Sequence, residues 1–371
     1  MTKKIVILFT DTGGGHRSAA EAIIEALEAQ HGGEAEVKMV DGLKHYAPYP
    51  FNRFSAWYPP LSRRRRVWKA LWRVTDGERR SRRIATLAWP YVRRAMRQMV
   101  AENPADVYVS VHWVFLGPVL RALGRPHPPV VNVVTDLISI HGAWCNPRVN
   151  LCIVPTERAK DRVVECGLSP EKVAVVGLPV AARFCLPAGD KAEARARVGW
   201  GQDLPALLLV GGGEGMGPLF EISQAISASG LRCELAVVAG RNRILQQELQ
   251  SAVWNIPTHS YGFVRNMPDL MRAADILITK AGPGTICEAF NVGLPIILYD
   301  YLPGQETGNL HYVVDNGAGV WAPNPRAVVS ALENWIGAGA RPGALAEATA
   351  NARKLARPDA ARQIAELIWK L

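Results

Sequence analysis

The chain has 371 residues, a hydrophobic share of 49% and a formal net charge of +10. That length suits two domains of ordinary size, each with its own core. The 33 Gly and 26 Pro are those of a globular α/β protein with many tight loops. The six cysteines (Cys145, Cys152, Cys166, Cys185, Cys233, Cys287) form no C-x-x-C pair, which sets aside zinc and disulfide frameworks and predicts reduced core residues in a cytosolic protein.

The chain starts "MTKKIVILFT", whose apolar run Ile5–Phe9 predicts a buried parallel strand and is too short for a signal peptide. No run of about 18 apolar residues follows anywhere, so no membrane span is expected. Next comes "DTGGGHRSAAEAI", where Gly13, Gly14 and Gly15 meet His16 at a strand-to-helix handover. Glycines there allow a tight turn and a close ligand approach, and the helix start offers unpaired N–H groups and a positive dipole end. Ala19, Ala20, Ala22, Ile23, Ala26 and Leu27 form that helix's apolar side. His16 is left as a base, a phosphate contact or a cap.

From Leu61 to Arg97 stand thirteen basic residues, including Arg63–Arg66, against the acids Asp76 and Glu78. The rest of the chain is close to neutral. Trp57, Tyr58, Trp68, Trp72, Trp89 and Tyr91 lie in or beside this segment. Cations interleaved with indoles suit an anionic membrane interface; the competing reading is a solvated helix face with core tryptophans. No nucleic-acid module accompanies the segment, so membrane surface is preferred and nucleic acid is not expected as a partner.

Further short apolar runs at Val107–Val111, Val130–Thr135 and Leu151–Val154 complete a first set of strands. The Pro- and Gly-rich "VGLPVAARFCLPAGDK" reads as a linker. A second set follows at Leu207–Val210, Leu235–Val238, Ile276–Thr279 and Ile296–Tyr299, opened by "LLLVGGGEGMG". Two doubly wound domains facing a cleft, with ligands at the carboxyl ends of the strands, are the economical architecture. Neither glycine loop is a P-loop or a G-x-G-x-x-G fingerprint, though both suit an anionic ligand.

The segment "ITKAGPGTICEAFNVGLPIILYDYLPGQETGN" is the most informative. Gly282, Gly284 and Thr285 sit at a helix start whose N–H groups would hold a diphosphate, with Lys280 as counter-charge. Glu288, one turn on, would accept from a ribose diol. Gln305, Glu306 and Asn309 follow the next strand, placed to grip hydroxyl-rich groups. Together they point to a nucleotide-sugar site.

Those motifs, with "VSVHW", "VVTDL", "VPTE", "GLPV", "AGRN", "YGFV" and "YVVDNGAG" in order along nearly the whole chain, resemble the monogalactosyldiacylglycerol synthase family. More distantly the chain is similar to bacterial processive diacylglycerol glucosyltransferases and the lipid-linked peptidoglycan glycosyltransferase. Residues 51–97 are more arginine-rich than the family pattern.

The resemblance implies an inverting GT-B glycosyltransferase with two Rossmann-like domains. Residues 1–185 would receive diacylglycerol and bind the membrane, residues 186–350 would bind the UDP-sugar, and a C-terminal helix within 351–371 would pack back toward the N-terminal domain. It implies galactose transfer from UDP-galactose to the sn-3 hydroxyl of 1,2-diacylglycerol; the alternative is a UDP-glucose-dependent, processive enzyme. His16 matches the family's base, and an unperturbed pKa near 6.5 would suit that work. Asp136 would orient it or bind acceptor. Phe263 and Val264 would read the uracil, Gly282, Gly284 and Thr285 the diphosphate, Glu288 the ribose, and Gln305 and Glu306 the sugar. Gly213, Arg241, Gly262, Lys280 and Asn309 complete the donor set. His112 and His141 read as structural or acceptor-side. With no Asp-x-Asp motif, the leaving group would be stabilised without metal, and the UDP-sugar is a substrate, not a cofactor. The expected location is cytoplasmic, peripheral on the inner face of the cell membrane, through anionic lipids at Arg63–Arg97.

Overall fold

A computed structural model describes residues 2–11, 14–186 and 189–371, and leaves the side chains of 59, 62 and 63 undescribed. Gly13, the side chain of Arg63 and part of the expected linker therefore lie outside the described residues. The chain divides into two compact units. One comprises Met1–Ala182, Leu302–Gly308 and Asp359–Leu371; the other comprises Arg183–Tyr301 and Asn309–Pro358.

The first unit is built on six parallel strands: β1 (Lys3–Phe9), β2 (Ala35–Asp41), β3 (Val107–Ser110), β4 (Val130–Val133), β5 (Leu151–Val154) and β6 (Val173–Val175), in the order β2-β1-β3-β4-β5-β6. Alternation along β1 divides the core. Ile5, Ile7 and Phe9 face Ala20, Ile23 and Leu27 of the Gly15–His31 helix and Ile364 of the Ala360–Trp369 helix. Val6 and Leu8 face the other way, toward Met96, Met99, Phe115 and Leu116. A parallel sheet covered on both faces requires such doubly apolar strands. The chain's last helix is held to this unit by His31 stacked on Trp369 at 4.0 Å and by Lys3 Nζ donating to the Trp369 carbonyl at 2.6 Å.

The second unit repeats the scheme with β7 (Ala206–Val210), β8 (Glu234–Val238), β9 (Thr258–Tyr261), β10 (Ile276–Lys280), β11 (Ile296–Asp300) and β12 (Gly319–Trp321), in the order β12-β11-β10-β7-β8-β9. Read from its own first strand, this is the dinucleotide-fold order, which reverses beside β7. In each unit the strand order reverses next to the opening strand: between β1 and β3 in the first, between β7 and β10 in the second. Loops leaving the carboxyl ends there splay apart and leave a crevice. The loop after β7 closes against the loop after β8 so tightly that only glycine fits. Gly215 has φ +57°, and a Cβ on it would lie 2.0 Å from the Ala239 carbonyl oxygen.

Candidate active site

At the first reversal, the loop after β1 passes Gly14, at φ +84°, into the helix that carries His16 in its first turn. The His16 Nδ1 atom lies 2.9 Å from the Val111 carbonyl oxygen, just beyond β3, and 2.9 Å from Thr135 Oγ1, just beyond β4. A carbonyl can only accept, so Nδ1 carries the imidazole proton and Nε2 keeps its lone pair. Burial drags the His16 pKa down to about 4, against the opposing pulls of the Val111 carbonyl and the charge on Asp11. The expectation of an unperturbed value is corrected: the ring is fixed as a neutral base in the free protein because its charged form is poorly solvated there.

His112 lies beside it, the rings tilted by 44° with centroids 4.2 Å apart. Its Nδ1 accepts from the Val114 N–H and caps the Trp113–Leu123 helix, and burial together with His16 holds its pKa well below the ordinary value. His141 caps the Gly142–Trp144 turn in the same way. Both have structural duties.

Asp136 is buried two residues beyond Val134, yet it does not orient His16. Its carboxylate accepts from Trp144 Nε1 at 2.7 Å and from Gln305 Nε2 at 3.3 Å. Burial raises its pKa to about 6, only partly offset by those two donors. Gln305 and Glu306 thus stand in the first unit, beside Asp136. The buried Glu306 also accepts from the Leu302 N–H at 2.7 Å, closing its own loop. Thr135 and Trp144 were missed in the sequence; the signal available was Thr135's place at a strand exit, directly before Asp136.

At the second reversal, Gly212, Gly213, Gly240, Phe263, Val264, Thr285 and Glu288 line a cavity of about 140 Å³. The Gly213 carbonyl accepts from the Arg241 N–H at 2.9 Å. Arg241 pairs with Glu214 at 2.7 Å and lies 4.7 Å over the Phe263 ring, a cation–π contact on the cavity rim. Gly262 leaves no room for a Cβ beside the Gln246 amide, and Gly212 lies alongside the Lys280 stem. The Pro283–Val292 helix points its start at this cavity. Pro283 lacks an N–H, so Gly284 and Thr285 carry the first orphan donors, and no side chain caps them. Gly282 is different, because its N–H already donates to the Lys280 carbonyl at 2.8 Å. Asn309 is fully buried, its amide donating to the Ala281 carbonyl at 3.0 Å; it braces the loop.

The basic helices Phe54–Arg63, Arg65–Thr75 and Glu78–Glu102 belong to the first unit. Trp68 is turned into the fold and Trp72 is half-buried, so neither is among the exposed apolar residues of this helix. Trp68 is buried edge-on to Tyr58, and Trp72 stands edge-on to His141 and against Gly304. A neighbouring stripe of that helix, Val67, Leu71 and Val74, is 44–66% exposed at i, i+4, i+7 spacing. Trp57, Leu87 and Tyr91 are also exposed. Among the described residues no helix is long and apolar enough to cross a membrane.

Residues 16–180 match the monogalactosyldiacylglycerol (MGDG) synthase family, and residues 207–364 the glycosyltransferase family 28 C-terminal domain. The probable monogalactosyldiacylglycerol synthase 2, chloroplastic, of Oryza sativa subsp. japonica is 38% identical over 100% of this chain and 81% of its own length. The chain belongs to the monogalactosyldiacylglycerol synthase family. Monogalactosyldiacylglycerol synthase 1, chloroplastic, of Arabidopsis thaliana is 36% identical over 98% of this chain and 70% of its own. The family makes it a glycosyltransferase, and the fold agrees. MurG of Acinetobacter baumannii superposes with a TM-score of 0.65 at 15% identity, covering 99% of this chain and 100% of that one. CalG4, the calicheamicin glycosyltransferase, does so with a TM-score of 0.57 at 15% identity, covering 100% of this chain and 98% of that one. Both domains are of the GT-B kind. The expectation of the cytoplasmic face of the cell membrane is corrected: these relatives are named chloroplastic. Reduced cysteines suit any reducing compartment and never separated the two.

Glu288 is the testable group of the second cavity. Burial raises its pKa to about 7, with Arg183 pulling the other way. The free folded protein therefore holds a proton between pH 4.5 and 7 that the unfolded chain releases, so stability contributed by this group declines as pH rises through that window. Unfolding free energy measured by urea denaturation is then expected to fall between pH 4.5 and 7 by up to about 1.4 kcal/mol per pH unit, and to lose that part of its decline in Glu288→Gln.

Proposed function

We propose that this protein transfers galactose from UDP-galactose to the sn-3 hydroxyl of 1,2-diacylglycerol, yielding monogalactosyldiacylglycerol. The single observation that carries the reading is the locked tautomer of His16: a neutral imidazole whose unprotonated Nε2 can take the acceptor hydroxyl's proton. The names of the relatives supply the product class.

In this reading the second unit holds the donor. Phe263 and Val264 take the uracil, Glu288 the ribose, and the N–H groups of Gly284 and Thr285 the diphosphate, where leaving-group charge grows as the anomeric bond breaks. Lys280 adds a counter-charge. No metal or further cofactor is invoked. Asp136, steadied by Trp144 and Gln305, accepts from the glycerol of the acceptor. With a pKa near 4 the imidazole is unprotonated throughout neutral pH, which is the form that a base requires.

The expected result for His16→Ala is a loss of about 10²–10⁴-fold in turnover with UDP affinity intact, read by lipid-product analysis and by calorimetry. Wild-type product formed from UDP-glucose and not from UDP-galactose would favour the glucosyltransferase alternative. Near-normal turnover of the variant would remove His16 from the chemistry.

Anionic lipid is the partner proposed for the basic helices. Arg64, Arg65 and Arg66 are exposed on the helix that presents Val67, Leu71 and Val74, and each basic residue near an anionic surface contributes about 1 kcal/mol. Reversing the three arginines to Glu is expected to release the protein from phosphatidylglycerol-containing vesicles at low salt while UDP affinity stays unchanged. Equal sedimentation of variant and wild type, with and without anionic lipid, would return these helices to a solvated face.

A further inference from the structure

The first unit holds a second cavity, of about 290 Å³, that the chemistry above does not use. It lies between the Glu78–Glu102 helix and the Trp113–Leu123 helix, with Ala88, Val92 and Met96 on one wall and Phe115 and Pro118 on the other. Its lining is overwhelmingly apolar. Most polar groups at its edge are already engaged. His141 Nε2 is 3.1 Å from Thr75 Oγ1, and the Ser81 hydroxyl donates to the Thr75 carbonyl at 3.0 Å. Such a space is poorly suited to water or to a polar ligand, and at about 30 Å³ per small group it has volume for a chain on the order of ten methylenes.

Two features say what kind of molecule fills it. Where Phe51, Ile84 and Arg82 line it, it opens to the surface carried by the basic helices, Phe51 and Ile84 being 41% and 46% exposed. Arg82 belongs to the same cationic face that would meet anionic lipid, so the mouth and the lipid surface are continuous. Trp113 also lines it, stacked on His141 at 5.1 Å. Its ring is 5.5 Å from that of His112, which in turn is 4.2 Å from that of His16. The cavity thus has exposed residues of the basic helices in its lining and, through Trp113 and His112, lies two ring contacts from the base.

We propose that this cavity receives one fatty acyl chain of the diacylglycerol acceptor, drawing the glycerol head to His16 while the second chain stays outside. The assignment rests on the functional reading above. It also gives the fold a reason to keep a void between two helices that could otherwise close on each other: a dry gap of this size forfeits packing unless a ligand fills it.

The test is binding of two short acceptors without any donor, followed by tryptophan fluorescence and calorimetry. Each buried methylene is worth about fourfold in affinity. 1,2-Dioctanoylglycerol, with two more methylenes per chain, is therefore expected to bind about fifteenfold tighter than 1,2-dihexanoylglycerol if one chain is enclosed. Ala88→Phe fills the cavity from one helix. Gly117→Leu fills it from the other, where a new Cβ meets only Ala85 at 3.8 Å. Both variants are expected to bring the ratio near one, with UDP affinity and melting temperature as in wild type. A fifteenfold ratio retained in either folded variant overturns the proposal, and would mean that the cavity serves another lipid or none. Galactose transfer is scored separately with UDP-galactose. Wild-type binding with the expected ratio but no transfer would sink the functional reading alone.

Discussion

The account depends on one hydrogen bond, from His16 Nδ1 to the Val111 carbonyl. It spans the place where β1 and β3, adjacent in the sheet, send their chains in opposite directions. The Val111 N–H is itself tied to the Leu8 carbonyl at 3.1 Å, so the accepting group is fixed by the sheet. The imidazole is consequently rigid in orientation, tautomer and charge. Burial that lowers its pKa to about 4 keeps it neutral, and the backbone decides which nitrogen faces outward. A side-chain partner would have left the choice of tautomer open; a carbonyl does not.

The second unit solves a different problem with similar geometry. In the proposed reading it accommodates negative charge, and the start of the Pro283–Val292 helix presents uncapped backbone N–H groups where the strand order reverses. Glycines keep these loops close, as at Gly215 against Ala239. Arg241, paired with Glu214 and lying over Phe263, stiffens the rim. Fixed dipoles of this kind need no reorganisation when charge develops.

The sequence was most legible where burial is complete. The eight interior strands are continuous apolar runs, because a parallel sheet covered on both faces leaves no solvent side. The four strands it did not reveal, β2, β6, β9 and β12, are the four sheet edges. β2 alternates in exposure, β9 reads Thr-His-Ser-Tyr, and β6 and β12 have three residues each. Edges carry weaker patterns since one flank faces away from the core. The motif residues fell at strand exits as expected, yet their partners did not follow from spacing. That Gln305 meets Asp136, 169 residues earlier in the chain, is a tertiary fact. The tryptophans misled for a related reason: Trp68 and Trp72 share a helix face with no sequence mark to say which face turns inward. Desolvation is likewise a property of the assembled site, which is why the ordinary pKa expected for His16 failed.

The state of the His16 ring can be read directly. Nitrogen-15 NMR of the protein labelled at its histidine imidazoles, followed from pH 8 down to 4, reports which nitrogen is protonated and where the ring titrates. The account predicts a His16 signal pair with protonated Nδ1 and unprotonated Nε2 throughout neutral pH, and a midpoint near 4. A proton on Nε2 at neutral pH, or a midpoint near 6.5, would contradict it.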